Sequence, residues 1–524
     1  MSDLKVDLPE IYNAATTFVD DNIARGLGKK TAIYYLGQQL TYQDVFERVN
    51  RTGNTLRELG LQIEQRVLLI LPDCPEFVFG FFGAIKIGAV PIPTNPWMKA
   101  KDYLYLLEDS RAHLLIIHDS VLPEVEKIWD RPRHLKNVLV VGKATGRAVS
   151  YESVVGKASA NLEPEPTNKD DVAMWLYTSG STGSPKGAVH LHHDMITITD
   201  LFVKPVLGMG GNDICFSASK LFFAYGLGNS LYFPFRFGGS TVLWPERPEP
   251  EKVLEVIERY RPTFFFSVPT LYARLLRVEK KYDLSSLRIC LSSGEPLPPA
   301  LFHRWKERFG IELLDVVGST EATHDFLANR PGRVKPGSSG QVTPAFEARI
   351  VDDEGREVPV GQVGHLMVKG DANALYYWNK YEQTKKTMLG EWLRTGDTYY
   401  RDEEDFYWYC GRSDDMLKVG GAWVSPIEVE NTLLEHPSVL EAAVAGETDQ
   451  DGLTKPKAYV VLKGEYQPSD LIKEDLQSLV KSRLAPYKYP RWVEFVEELP
   501  KTVTGKIQRF RLREKREAQS KGTE

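Results

Sequence analysis

The densest chemistry in the chain lies in eleven consecutive residues. Tyr177-Thr178-Ser179-Gly180-Ser181-Thr182-Gly183-Ser184-Pro185-Lys186-Gly187 holds three glycines, five aliphatic hydroxyls and a lysine, directly after the apolar run from Val172. Glycines let the backbone turn successive N–H groups toward an anion, hydroxyls add donors, and lysine supplies a point charge. By composition this is a cradle for a polyphosphate. It is not a Walker A loop, because Pro185 precedes Lys186 where glycine is required and Gly187 follows where Ser or Thr should stand.

The pattern Thr-Ser-Gly-Ser-Thr-Gly-x-Pro-Lys-Gly resembles the phosphate loop of the AMP-forming acyl- and aryl-CoA synthetases. That superfamily also holds luciferases and peptide-synthetase adenylation domains. Further motifs follow in that family's order over nearly the whole chain. The resemblance implies that Thr178, Ser179, Gly180, Ser181, Thr182, Gly183 and Lys186 bind ATP, with Thr178 also catalytic and a ligand of Mg²⁺. Gly318-Ser319-Thr320-Glu321 is similar to the second nucleotide motif, which makes Glu321 a catalytic residue and Mg²⁺ ligand; Val317 stands where the family carries an aromatic against adenine.

Trp392-Leu393-Arg394-Thr395-Gly396-Asp397 is similar to the motif whose aspartate accepts both ribose hydroxyls, a task suited to a group with two acceptor oxygens and no donor. Ser293-Gly294-Glu295 resembles the loop beside adenine. Gly411-Arg412-Ser413-Asp414 resembles the domain junction, with Arg412 near the ribose and Asp414 as hinge; Lys418, Gly420 and Gly421 would line the coenzyme A channel. In Pro500-Lys501-Thr502-Val503-Thr504-Gly505-Lys506-Ile507-Gln508-Arg509, the resemblance makes Lys506 the catalytic lysine.

Lys220-Leu221-Phe222-Phe223-Ala224-Tyr225-Gly226-Leu227-Gly228 is apolar and aromatic, a setting for a flat hydrocarbon ring. This run resembles the benzoate–CoA ligase branch, which implies that Ala224, Tyr225 and His324 line the ring site and Phe223 its gate; Gly318 and Asp325 are counted with them as acyl-binding. Asp325 departs from that branch, where the position is apolar. It must point away, pair with His324 or Arg330, or meet a hydroxyl or amino group on the substrate. Benzoate ranks first as the acid, hydroxybenzoate second and alicyclic acids such as cyclohexene carboxylate third. The resemblance leaves open reverse operation toward ATP. Oxygen-consuming luciferase chemistry and loading of a carrier protein rank lower.

The remaining sequence supports an enzyme rather than a scaffold. Its 524 residues are 42% hydrophobic and 26% charged, which excludes a disordered or collagen-like chain. A net charge of −6 attracts neither nucleic acid nor anionic lipid, and no membrane partner is expected. Cys74, Cys215, Cys290 and Cys410 are widely spaced, which points to a reducing, cytoplasmic setting. The first residues lack a basic segment followed by an apolar core, so no secretory leader is expected. The partners implied are small molecules (ATP, coenzyme A and a carboxylic acid), with the protein a monomer or homodimer. His190, His192 and His193 cluster without a third-ligand pattern, so a metal is not expected there.

The elements that position these motifs alternate. Val67–Leu71, His113–Ile117, Val138–Gly142 and Thr263–Val268 read as buried strands, with helices over 75–87 and 250–259. Beyond about residue 340 the texture becomes β-rich, and a last unit carries helices over 426–435 and 471–484 around a strand at 457–462. The fold class expected is α/β: a large N-terminal adenylate-forming domain, 1–413, with parallel sheets and a β-rich subdomain, then a small mobile α+β C-terminal domain, 414–524.

Overall fold

Continuous apolar runs flanked by helices become parallel strands, because only a strand covered on both faces can bury every side chain. The computed structural model of the chain describes residues 5–178, 184–413, 415–419, 422–449, 453–501, 507, 509 and 512. Two parallel systems form its body. One is a five-stranded sheet ordered Val90–Pro93, Arg66–Ile70, Leu114–His118, Asn137–Val141, Val149–Ser150. The other is a nine-stranded sheet whose parallel centre runs Leu313–Gly318, Ile289–Ser292, Phe264–Ser267, Ile214–Ser217, Ser240–Leu243, Thr31–Tyr35. Antiparallel strands Asp325–Ala328 and Gln38–Thr41 extend it at either end.

Most expected elements appear within a residue or two; the strand expected at 457–462 starts three residues earlier, at Thr454. The helix expected over 75–87 spans Pro75–Lys86, opening on a proline at its first position, where the missing N–H costs nothing. That expected over 250–259 spans Pro250–Tyr260 and buries Val253, Leu254, Val256 and Ile257.

After residue 340 the chain builds an antiparallel sheet from Glu347–Val351, Gly364–Lys369, Met388–Leu389, Trp392–Arg401 and Tyr407–Arg412. The last region is α+β. Strands Val439–Thr448, Thr454–Leu462 and Trp492–Phe495 carry helices Pro426–Leu434 and Asp470–Arg483 around a core that includes Val424, Val429, Leu433, Val444, Val460 and Leu476. The four cysteines are buried and free. Among the described residues no helix is long and apolar enough to cross a membrane.

Candidate active site

The phosphate-loop motif spans the link between two strands. Strands Val172–Thr178 and Lys186–Leu191 pair antiparallel, with Thr178 opposite Lys186, so the intervening residues form the connection. Ser179, Gly180, Ser181, Thr182 and Gly183 lie outside the described residues. The exit of the loop is anchored by Tyr105, whose hydroxyl donates to the Pro185 carbonyl at 2.8 Å.

Lys186 and Glu321 are brought together through a residue absent from the sequence expectations. The Lys186 ammonium lies 4.3 Å from the centroid of the Tyr377 ring, and the Tyr377 hydroxyl donates to Glu321 Oε1 at 2.5 Å. Burial, then the Glu321 charge, push the Tyr377 pKa up, so the phenol remains a donor. Tyr377 occupies a short strand, Tyr376–Tyr377, added to the edge of the phosphate-loop hairpin. The only sequence sign of it was an aromatic cluster, Tyr376-Tyr377-Trp378.

Glu321 rides on a single 3-10 turn, Thr320–Ala322, where the strand Leu313–Gly318 ends. Ser319 caps it by accepting from the Ala322 N–H at 3.2 Å. Beneath the turn lies His190, fully buried, with Nε2 2.8 Å from the Thr320 carbonyl and Nδ1 2.8 Å from Asp194 Oδ2. Thr323 follows at φ +63°, strained for a β-branched residue, and its hydroxyl donates to the Ala372 carbonyl at 2.7 Å. Gly318 is required by close approach, since a Cβ there would sit 2.2 Å from the His324 carbonyl oxygen.

The three histidines after the loop serve the framework. His190 supports the turn. His192 Nδ1 accepts from the Ala14 N–H at 3.0 Å, and His193 sits 3.3 Å from Asp194 and 3.8 Å from Asp371. Among the described residues no group of three or more His, Cys, Asp or Glu side chains could hold a metal ion.

The ribose motif and the junction motif meet by strand register. Asp397 pairs with Arg412 across two antiparallel strands, and Arg412 Nη1 donates to Asp397 Oδ1 at 3.0 Å. Gly396 adopts φ +78°, and a Cβ there would come within 2.7 Å of Arg412 Nη2, so glycine is doubly favoured. Ser293 donates its N–H to the Ser267 carbonyl at 3.2 Å, Gly294 turns the loop at φ +85°, and Glu295 accepts from the Thr270 hydroxyl at 2.8 Å.

The acyl run begins at a buried anchor. The Lys220 ammonium donates to the Trp244 carbonyl at 2.5 Å and lies 3.6 Å from Asp73, whose other oxygen accepts the Leu221 N–H at 2.9 Å. Phe223, 37% exposed, precedes the short helix Ala224–Leu227. Tyr225 and His324 come together with ring centroids 5.5 Å apart. Asp325 is buried with Oδ2 2.9 Å from His324 Nδ1, a contact short of a well-formed hydrogen bond; Arg330 instead reaches the Val342 carbonyl at 3.5 Å.

At the C-terminal end, Arg509 holds Glu430 with contacts of 3.1 and 2.6 Å and lies 3.7 Å from Asp415. Burial opposes the Arg509 charge, yet the Glu430 and Asp415 carboxylates raise its pKa. Lys418 lies on the strand Leu417–Val419, paired with Ala422–Val424. Asp414, Gly420, Gly421 and Lys506 lie outside the described residues.

The α/β fold brings Lys186 and Glu321 together on Tyr377 and pairs Asp397 with Arg412. The sequence profile of AMP-binding enzymes matches residues 20–378, and that of the AMP-binding enzyme C-terminal domain matches residues 428–506. The chain belongs to the AMP-binding enzyme family. It is 46% identical to the benzoate–CoA ligase of Thauera aromatica, covering 97% of both chains. It is 42% identical to a 4-hydroxybenzoate–CoA/benzoate–CoA ligase of Rhodopseudomonas palustris, covering 96% of this chain and 94% of that one. The crystal structure of the anthranilate CoA ligase AuaEII in complex with anthranoyl-AMP superposes with a TM-score of 0.93 at 41% identity, covering 98% of this chain and 99% of that one.

Proposed function

We propose that the protein joins an aromatic carboxylic acid, benzoate first, to coenzyme A through an acyl-adenylate, consuming ATP and releasing AMP and pyrophosphate. The observation that carries this reading is the likeness to a benzoate–CoA ligase over 97% of both chains.

In the first half-reaction a carboxylate oxygen of the acid attacks the α-phosphorus of Mg·ATP, and the bond to the pyrophosphate oxygen breaks. Thr178 to Gly183 and Lys186 hold the phosphates, Gly318, Ser319 and Thr320 and the loop Ser293–Glu295 border the base, and Asp397 and Arg412 hold the ribose. Glu321 and Thr178 offer Mg²⁺ hard oxygen ligands, and such an ion takes one or two from protein and the rest from phosphates and water. Tyr377 keeps the Glu321 carboxylate turned to its task. Lys506 bridges acid and nucleotide, offsetting the repulsion of two anions.

In the second half-reaction the thiol of coenzyme A displaces AMP. The division at 413/414 gives the chain two domains, the smaller rotating about Asp414 to replace Lys506 with the channel of Lys418, Gly420 and Gly421. Four buried free thiols fit a reducing cytoplasm.

The test is coenzyme A-dependent AMP release from purified protein with Mg·ATP and a panel of benzoate, cinnamate, cyclohexene carboxylate and acetate. Benzoate should give the highest kcat/KM. Turnover of acetate alone would remove the aryl assignment.

A further inference from the structure

The ring end of the acyl site carries more hydrogen-bonding capacity than an unsubstituted ring consumes. The His324 imidazole is caged by aromatics, with centroids of Phe233, Tyr225, Phe202 and Tyr232 at 4.5, 5.5, 6.4 and 6.4 Å. Asp325, only 1% exposed, lies against this cage. Its Oδ2 approaches His324 Nδ1 at 2.9 Å, yet neither atom completes a hydrogen bond of acceptable geometry.

Four further buried polar atoms, the hydroxyls of Tyr225 and Tyr232 and both amide atoms of Asn229, make no well-formed hydrogen bond, although the Asn229 amide lies beside the Tyr225 hydroxyl. Gly228 shows how close these walls stand, since a Cβ there would come within 2.7 Å of His324 Nε2 and 2.9 Å of the Tyr232 hydroxyl. Burial first, and then the Asp325 charge, push the pKa of both tyrosine hydroxyls up. Buried polar groups in folded proteins are nearly always paired, so a concentration of unpaired ones beside a ligand site marks groups that the ligand satisfies. An ionised carboxylate accepts and does not donate, so its complement is a donor.

We propose that Asp325, supported by Tyr225, Asn229 and Tyr232, is the specificity-determining residue of the acyl site, and that it selects a benzoate ring bearing a hydrogen-bond donor, a hydroxyl or an amino group. This rests on the aryl–CoA ligase reading above. A substituent of similar size without a donor leaves the carboxylate desolvated and unpaired, and so binds worse than benzoate itself.

The experiment compares kcat/KM for benzoate and for its 2-, 3- and 4-hydroxy, amino and fluoro derivatives in the native enzyme, Asp325→Ile and Asp325→Asn. At one ring position the donor-bearing acid should exceed its fluoro analogue by about tenfold or more. Asp325→Ile should collapse that ratio and turn the preference toward benzoate and fluorobenzoate, while Asp325→Asn, which keeps an acceptor, should fall between. Which of the hydroxyl and amino series gains more identifies the donor. A ratio unchanged by Asp325→Ile at every position overturns the proposal, even with benzoate turned over normally. Failure of the native enzyme on every ring acid removes the aryl reading and the proposal together. Should the isoleucine variant not fold, calorimetric binding of the same acids to the native protein and Asp325→Asn decides by the same ratio.

Discussion

Tyr377 makes two contacts that nothing in its sequence surroundings announces. Its ring face meets the Lys186 ammonium and its hydroxyl meets Glu321, 56 residues away. A hydrogen bond to a charged group is worth about 1.5–3 kcal/mol, and 1.4 kcal/mol is tenfold. Tyr377→Phe keeps the ring over Lys186 and loses only the bond to the carboxylate. It should therefore raise the half-saturating Mg·ATP concentration in pyrophosphate exchange roughly tenfold, leaving the KM for benzoate within about twofold. An unchanged Mg·ATP dependence would show that Glu321 needs no such support. Residues of this kind were not legible, because a tyrosine in an aromatic cluster looks like core until the strand pairing that turns it toward Lys186 and Glu321 is known. Asp325 was legible for the opposite reason: a carboxylate in an apolar context demands a partner wherever it lies. The partner itself, His324 rather than Arg330, came only from the structure.

At the scale of elements, the segment from the strand Lys186–Leu191 into the helix Asp194–Ile198 couples the phosphate hairpin to the body through three buried histidines. Two of them respond to pH in opposite senses. Burial lowers His192 to about 3, and the neighbouring His193 adds to this. The folded state therefore binds fewer protons than the unfolded chain between about pH 3 and 6.5, and His192 costs stability as pH falls through that window. Burial opposes the charge on His193, but the Asp194 and Asp371 carboxylates raise its pKa, so its contribution is full below about 6.5 and is lost as pH rises through the folded value. Replacing His192 with Gln should flatten the acid side of the stability profile by up to about 1.4 kcal/mol per pH unit, measured as the urea midpoint between pH 4 and 6.5. An unchanged slope would mean that His192 is protonated in the folded protein. Strands such as Arg66–Ile70 and Phe264–Ser267 were readable from their apolar runs because parallel strands bury both faces. The role of the histidines was not, since it depends on Ala14 and Thr320, distant in sequence and contributing backbone rather than side-chain chemistry.

For the whole molecule, the order of the motifs already implied a large domain followed by a small one, and the α+β unit around Val439–Thr448 and Thr454–Leu462 agrees with that order. What a chain of motifs does not contain is the sequence of positions the small domain adopts. If Lys506 serves only adenylate formation and then withdraws, its loss must separate the half-reactions. Lys506→Ala removes one cation from a developing charge, an effect of about 10²-fold or more where such stabilisation is preorganised. Pyrophosphate exchange should fall by that factor, while thioester formation from preformed benzoyl-adenylate and coenzyme A should stay within a few-fold of the native rate. Equal losses in both half-reactions of the lysine variant would mean that a single arrangement of the two domains performs both steps, and the rotation about Asp414 would have to be abandoned.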